Sequence, residues 1–190
     1  PVLLLSAGQA GATAPAALAG TVVQAVAECL VGLIYVNAIV PGAPYIFGTW
    51  PFVSDLRTGA MSGGSPEQAL LSSACGQMAN FYGLIGGTGA GMTDAKVMDF
   101  QAGYEQACNL TLVGNAGTNL IYEAAGMHAS LLGICKETLV ADNDVSGAAQ
   151  RTMLCGSWIF GSPARSGGMK SARMPWACES QFAPSSRVTQ

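Results

Sequence analysis

The sequence predicts an α/β protein of repeated βα units, in which short strands build a parallel sheet and longer helices connect them. Two observations carry that expectation. Short continuous apolar runs recur, as in Val2–Leu5 and Tyr45–Gly48, and each is followed by a loop and a longer helix-forming stretch. The runs are continuous rather than alternating, as in strands buried on both faces. Composition agrees: 50% of the 190 residues are hydrophobic, 25 are glycine and only 10% are charged, so the chain is core-rich and tightly turned. Its length suits one domain, or one with a tail.

Val2–Leu5 feeds a loop, Ser6 to Gly11, that holds Gln9. Pro15 then opens a helix to about Asn37, since proline costs nothing in a first helical turn. Pro41-Gly42-Ala43-Pro44 turns the chain into the strand Tyr45–Gly48, and Trp50 to Gly64 reads as a long loop. Ser65-Pro66-Glu67 combines a capping serine, a proline at the first helical position and an acid in the first turn. That helix runs to about Tyr82. Leu84-Ile85 is a short strand, and Asp94 to Val113 the next helix, with Met98, Ala102 and Leu112 sharing a face. Thr118–Tyr122 reads as a strand, Glu123–His128 as its loop and Ser130–Lys136 as a short helix. Glu137–Val140 continues that helix or forms a strand. Asp142-Asn143-Asp144 caps a last helix through about Met153. Four or five βα units result. Right-handed crossovers make them an open doubly wound sheet or an arc of a (β/α)8 barrel, of which this chain supplies about half.

Charge is unevenly spread. Residues 1–150 carry three basic and ten acidic side chains, whereas 151–190 carry five basic and one acidic. An acidic body excludes nucleic acid as the expected partner, because phosphates want a basic face. The six cysteines form no CxxC pair and have no histidine at ligand spacing, which argues against zinc. Four of them lie in helical patterns and read as buried thiols of a reducing, cytoplasmic protein. Ala16 to Val40 is apolar enough to raise a membrane span, but Gln24 and Glu28 interrupt it and basic flanks are absent. We expect a buried helix on the outside of a soluble domain, with no membrane partner. No signal peptide is visible, and the start at Pro1 reads as a position inside a longer protein. Leu154 to Gln190 is rich in Ser, Gly and Pro and shows no sustained period, so we expect a partial barrel domain over 1–153 and a basic, irregular tail over 154–190.

The stretch Gly83–Glu105 draws the eye as a site. An apolar run ends at Ile85 and meets a glycine-rich turn (Gly86, Gly87, Gly89, Gly91), where the backbone can approach a ligand closely. Thr93 or Asp94 then caps the helix that follows. Asp94, Lys96, Asp99, Gln101 and Glu105 concentrate polarity there. Gln101 and Glu105, four apart, share a face, and Lys96 and Asp99 are spaced to pair. His128, the single histidine, has no visible carboxylate partner and is weak evidence for catalysis.

The ordered set Ala14-Pro15, Ala19-Gly20, Gln24, Ala27-Glu28, then Pro41-Gly42-Ala43-Pro44, Ser65-Pro66-Glu67, Gly91-Met92-Thr93-Asp94-Ala95-Lys96 and Asp99-Phe100-Gln101-Ala102-Gly103-Tyr104-Glu105 resembles the trimethylamine methyltransferase family over residues 1 to about 151. The resemblance is to the later half of such a protein. It implies a (β/α)8 barrel that moves a methyl group from trimethylamine, or from a quaternary amine such as glycine betaine, to a corrinoid carried by a separate partner protein. It implies no cofactor bound directly and a homo-oligomer when full length. Family members acting on trimethylamine carry pyrrolysine, expected in the glycine-rich turn near Met92. Its absence here puts trimethylamine in doubt, unless a UAG codon was read as another residue. The tail departs from the family pattern, which a frameshift would explain.

A cationic nitrogen wants aromatic faces and carboxylates. The residues expected to bind substrate are therefore Gln9, Trp50, Phe52, Asp94, Gln101, Glu105 and Tyr122. Trp50, Phe52 and Tyr122 sit at or just after predicted strand ends, where barrel sites are built. Thr13 shares the first loop with Gln9. Core packing competes for each aromatic, and helix capping competes for Asp94.

Overall fold

The computed structural model describes residues 1–159. The chain runs β1 (Val2–Ser6), β2 (Gln9–Ala10), α1 (Leu18–Ile39), β3 (Tyr45–Thr49), β4 (Phe52–Ser54), β5 (Met61–Ser62) and α2 (Pro66–Phe81). It continues through β6 (Ile85–Gly89), α3 (Phe100–Asn115), β7 (Leu120–Tyr122), β8 (Met127–His128), β9 (Gly133–Ile134) and α4 (Lys136–Ile159). Strands β1, β3, β6 and β7 form one parallel sheet in that order, with Leu4 opposite Phe47, Phe47 opposite Gly86 and Thr88 opposite Ile121. Each βα unit adds a strand beside the last, so the expected α/β architecture of alternating units on a parallel sheet is present, with four units.

One face of this sheet carries the helices. Ser6 Oγ donates to Glu28 of α1 at 2.6 Å, and the Tyr45 hydroxyl donates to the Cys29 carbonyl. Thr88 donates to Ser72 of α2, and Ile121 packs on Leu110 and Val113 of α3 and Ala149 of α4. Val26, Cys29, Tyr45, Phe47 and Ala79 form the core between α1, α2 and the sheet. Side chains alternate along a strand. Leu3, Leu5, Ile46, Ile85, Leu120 and Tyr122 therefore stand on the opposite face, together with Gly87 and Gly89. There Leu3, Leu5, Ile85 and Leu120 are 41–49% exposed, which leaves an apolar face largely open among the described residues.

Several boundaries differ from expectation, each for a local reason. Gly86, Gly87 and Gly89 lie within β6 rather than in a turn. Gly86 needs no turn to explain it, because a Cβ there would come 2.8 Å from Ala79 Cβ of α2. Helix α3 starts at Phe100, not Asp94, and Asp99 caps it by accepting from Ala102 N–H at 3.0 Å. Thr93–Ala95 cannot join the helix because its backbone is tied to the β8–β9 segment: Thr93 N–H donates to Met127 O, Ser130 N–H to Thr93 O and Ala129 N–H to Ala95 O, at 2.9–3.1 Å. Met98 thus precedes α3 and is exposed, as is Leu112, so neither joins Ala102 on a buried face. The loop after Trp50 contains the antiparallel pair β4–β5. The short helix expected at Ser130–Lys136 is instead a tight turn, with Ala129, Ser130 and Leu131 at φ of 49°, 51° and 76°, leading into β9.

Helix α4 begins at Lys136, so Asp142 lies inside it, 1% exposed, rather than capping it. It runs on through Met153 to Ile159; the rest of the expected irregular tail and the frameshift hypothesis lie outside the described residues. By length and composition α1 could cross a membrane, with a mean hydropathy of 1.8 over 18 residues. Only its inner side is buried: Val26 and Cys29 enter the core, while Val23, Val31, Ile34 and Tyr35 are exposed. Of the cysteines, Cys29 and Cys75 are buried thiols, which burial pushes up to about 12 and about 11. Cys108 is exposed and Cys135 half-buried, so the expectation of buried thiols fails for these two.

Candidate functional site

The residues singled out in the sequence gather at the carboxyl end of the sheet in two groups of opposite character. Trp50 follows β3 and Tyr122 ends β7, the two strands that flank β6. Their rings meet across the end of β6, edge to face, with centroids 5.6 Å apart. Phe52 adds a tilted contact to Trp50 at 5.0 Å. Gln9 lies opposite Phe52 in the β2–β4 register, and its side-chain oxygen accepts from Ser54 Oγ at 3.2 Å. Thr13 Oγ1 in turn accepts from Gln9 N–H. Gln9, Trp50, Phe52 and Tyr122 thus form one aromatic-rich cluster.

Two donors in this cluster lack an acceptor. The indole Nε1 of Trp50 and the hydroxyl of Tyr122 are both buried without a hydrogen-bond partner among the described residues. Burial, followed by the Cys29 thiol and the Glu123 carboxylate, pushes the Tyr122 phenol up, so it remains a donor at neutral pH. A buried unpaired donor costs roughly 1–3 kcal/mol, which makes two at one place noteworthy.

The second group is fully paired. Asp94 accepts from the hydroxyls of Ser62 and Ser130 and from the N–H groups of Gly63 and Gly64, at 2.8 and 3.0 Å for the last two. Burial works against the charged form. The two serines and the two backbone donors outweigh it and hold the carboxyl below its ordinary value. Glu105, 6% exposed, accepts from Thr93 Oγ1 at 2.6 Å, Asp94 N–H at 2.8 Å and Gln101 Nε2 at 2.8 Å. Asp94, Gln101 and Glu105 therefore knit the loop after β6 to the start of α2 and to the β8–β9 turn. Lys96 reaches only the Asp94 carbonyl, at 3.4 Å, and the expected Lys96–Asp99 pair does not form. The ion pair among the described residues is Arg57–Asp55, at 3.5 Å on the surface.

His128 is buried and both ring nitrogens are engaged. Nδ1 lies 3.1 Å from the Ala95 carbonyl and must donate to it. Nε2 lies 2.8 Å from Thr138 Oγ1, which donates to it when the ring is neutral. No lone pair remains for proton transfer, so His128 fastens β8 to α4. Among the described residues no group of three or more His, Cys, Asp or Glu could hold a metal.

Sequence reasoning missed contributors at three places. Ser62 and Ser130 bond Asp94 from distant loops, and nothing in their spacing announces it. Glu123 directly follows Tyr122 at φ 61°, a left-handed conformation uncommon outside glycine, and burial raises its carboxyl. The third is Gly89, whose role rests on Trp50 and is taken up below.

The fold and the cluster define a parallel α/β protein with an aromatic cluster at the carboxyl ends of its strands. Residues 1–161 match the family Trimethylamine methyltransferase (MTTB), and the chain belongs to that family. It is 39% identical over 146 residues to a glycine betaine methyltransferase of Desulfitobacterium hafniense (strain Y51), a match covering 77% of this chain and 30% of that protein. It is likewise 39% identical over 153 residues to trimethylamine methyltransferase MttB of Methanosarcina barkeri, covering 80% of this chain and 31% of that protein. The chain thus spans about a third of the length of these relatives.

Proposed function

We propose that this chain is the aromatic-site arc of a (β/α)8 amine:corrinoid protein methyltransferase, and that Trp50, Phe52 and Tyr122 hold the positively charged nitrogen of the substrate. The single observation that carries this is the meeting of the three rings over the end of β6. Ring faces attract an onium group by roughly 0.5–2 kcal/mol each, and more as water is excluded. Support for the barrel comes from the helices lying on one face, the apolar opposite face and, among the described residues, the open edges at β1 and β7.

Among candidate amines we favour a quaternary one that also carries a carboxylate, such as glycine betaine, over trimethylamine. The unpaired hydroxyl of Tyr122 asks for an acceptor that protonated trimethylamine lacks. The glycine-rich strand and loop also hold standard residues only.

In the reaction we envisage, the corrinoid is a substrate on the partner protein and supplies a cobalt(I) nucleophile that takes the methyl group. The carbon–nitrogen bond breaks with its electron pair going to nitrogen. A quaternary amine therefore leaves neutral and needs no general acid, and His128 has none to offer. The work of this chain is positioning and electrostatics: the rings fix the nitrogen, and the Asp94–Glu105 knot holds the loops around it. We place the protein in the cytoplasm and take the full-length form to be a homo-oligomer.

A second reading is an inactive arc without catalysis, favoured by the two sheet edges left open among the described residues. Incubating the chain with a reduced corrinoid protein and, in turn, glycine betaine and trimethylamine separates the two. A change in corrinoid absorption with glycine betaine supports methyl transfer; none with either amine favours the inactive reading.

A further inference from the structure

We propose that Gly89 is a specificity-determining residue of the aromatic site: lacking a Cβ, it seats the Trp50 indole against β6, and that seat sets the size of the onium group the site accepts. The inference rests on the onium-binding role given above to Trp50 and Tyr122.

Three glycines in a five-residue strand are costly, because glycine loses the most freedom on folding and adds no packing. Each must be needed or tolerated for a reason. Gly86 faces α2, where Ala79 leaves no room. Gly87 is less constrained: a Cβ there would lie 3.1 Å from Ile46 Cγ2 and 3.3 Å from Tyr122 Cε1, contacts that a small shift relieves. Gly89 is different. A Cβ on it would come 2.5 Å from Trp50 Cε2 and 2.9 Å from Cδ1, with Nε1 nearer still. Its φ is not in the left-handed region, so the backbone would accept alanine. Only the indole forbids it.

The indole has little freedom to yield sideways. Phe52 lies against it at 5.0 Å and Tyr122 at 5.6 Å. A side chain at position 89 would drive the ring off the sheet, toward the open face where the onium group is to bind. The buried, unpartnered Nε1 points the same way. The fold accepts a buried, orphaned N–H to keep the ring where it is. This suits a ring placed for its face rather than for its hydrogen bond. Specificity is a ratio of affinities, and an indole fixed on a glycine floor gives a ratio set by shape.

The test is calorimetric titration of the chain with tetramethylammonium and with tetraethylammonium, on the parent, Gly89→Ala, Trp50→Phe and Gly89→Ala/Trp50→Phe. Gly103→Ala, on the exposed side of α3 with open space at its Cβ, is the control. Near-UV circular dichroism, taken as the difference from Trp50→Phe, reports the indole independently of ligand. The parent is expected to prefer tetramethylammonium. Gly89→Ala should weaken it by about tenfold or more and collapse the preference, with a changed Trp50 signal. The double variant should return to within about threefold of Trp50→Phe alone, because the smaller ring leaves room for the methyl group. A purely structural glycine would show no such rescue.

An unchanged affinity ratio and Trp50 signal in Gly89→Ala would overturn the assignment. If Gly89→Ala does not fold, a folded and binding double variant supports it, and a double variant that stays unfolded overturns it. A parent chain that binds neither cation overturns the onium reading itself, and the role of Gly89 falls with it.

Discussion

At the carboxyl end of the sheet, Asp94 and Glu105 are acceptors with every oxygen in use, whereas Trp50 and Tyr122 are buried donors with nothing to bond. The two groups were indistinguishable as site candidates in the sequence. Their difference shows how a fold divides labour within one rim. Saturated carboxylates hold loops together, because each bond they lose leaves a buried donor exposed to its full desolvation cost. The aromatics, by contrast, are the surface we propose for the ligand, with the unpaired Tyr122 hydroxyl left to meet it.

The largest expected effect breaks the saturated side. Asp94→Ala strands the hydroxyls of Ser62 and Ser130 and the N–H groups of Gly63 and Gly64. Unfolding free energy in urea should fall by about 3 kcal/mol or more. Tyr122→Phe sharpens the contrast, since it removes a hydroxyl that has no partner. Stability should stay within about 1 kcal/mol of the parent or rise, while affinity for glycine betaine drops by about fivefold and that for tetramethylammonium holds. An equal loss of stability in both variants would erase the distinction.

A smaller effect concerns pH and sets Asp94 against Asp142. The folded value of Asp94 is held below the ordinary carboxylate range, so its contribution is complete above the unfolded value of about 3.9. It is lost as pH falls through the folded value. Asp142 is the reverse. Burial raises it, against the pull of Gly126 N–H, His128 and Gln106, and its Oδ1 has no partner. Its unfolded form releases the proton more readily, so its contribution is complete below the unfolded value and is lost as pH rises through the folded one. Urea titrations from pH 3 to 7 should show Asp142→Asn flattening the upper part of the profile and Asp94→Asn flattening the acid part.

Local chemistry was legible. The Ser65-Pro66-Glu67 start gave α2 correctly, with Ser65 Oγ accepting from Gln68 N–H, and the apolar runs gave β1 and β3. The aromatic trio could be named because each ring falls at or just after a strand end. What could not be read depends on distant partners. Asp94 looks like a cap, since Thr-Asp before a polar stretch is good capping chemistry, but Ser62 and Ser130 claim its carboxylate and the β8–β9 segment claims its backbone neighbours. The glycines of β6 look like a turn. Only the indole lying on Gly89, and the Ala79 side chain beside Gly86, explain why a strand would carry them.

The most direct measurement compares glycine betaine with 3,3-dimethylbutanoate, which keeps the shape and carboxylate but replaces the charged nitrogen with carbon. Titrated against the same chain by calorimetry, glycine betaine should bind about tenfold or more tightly, the worth of a cation on two or three ring faces. Equal affinity for the two, or binding of the carbon compound alone, would contradict the role given to Trp50, Phe52 and Tyr122.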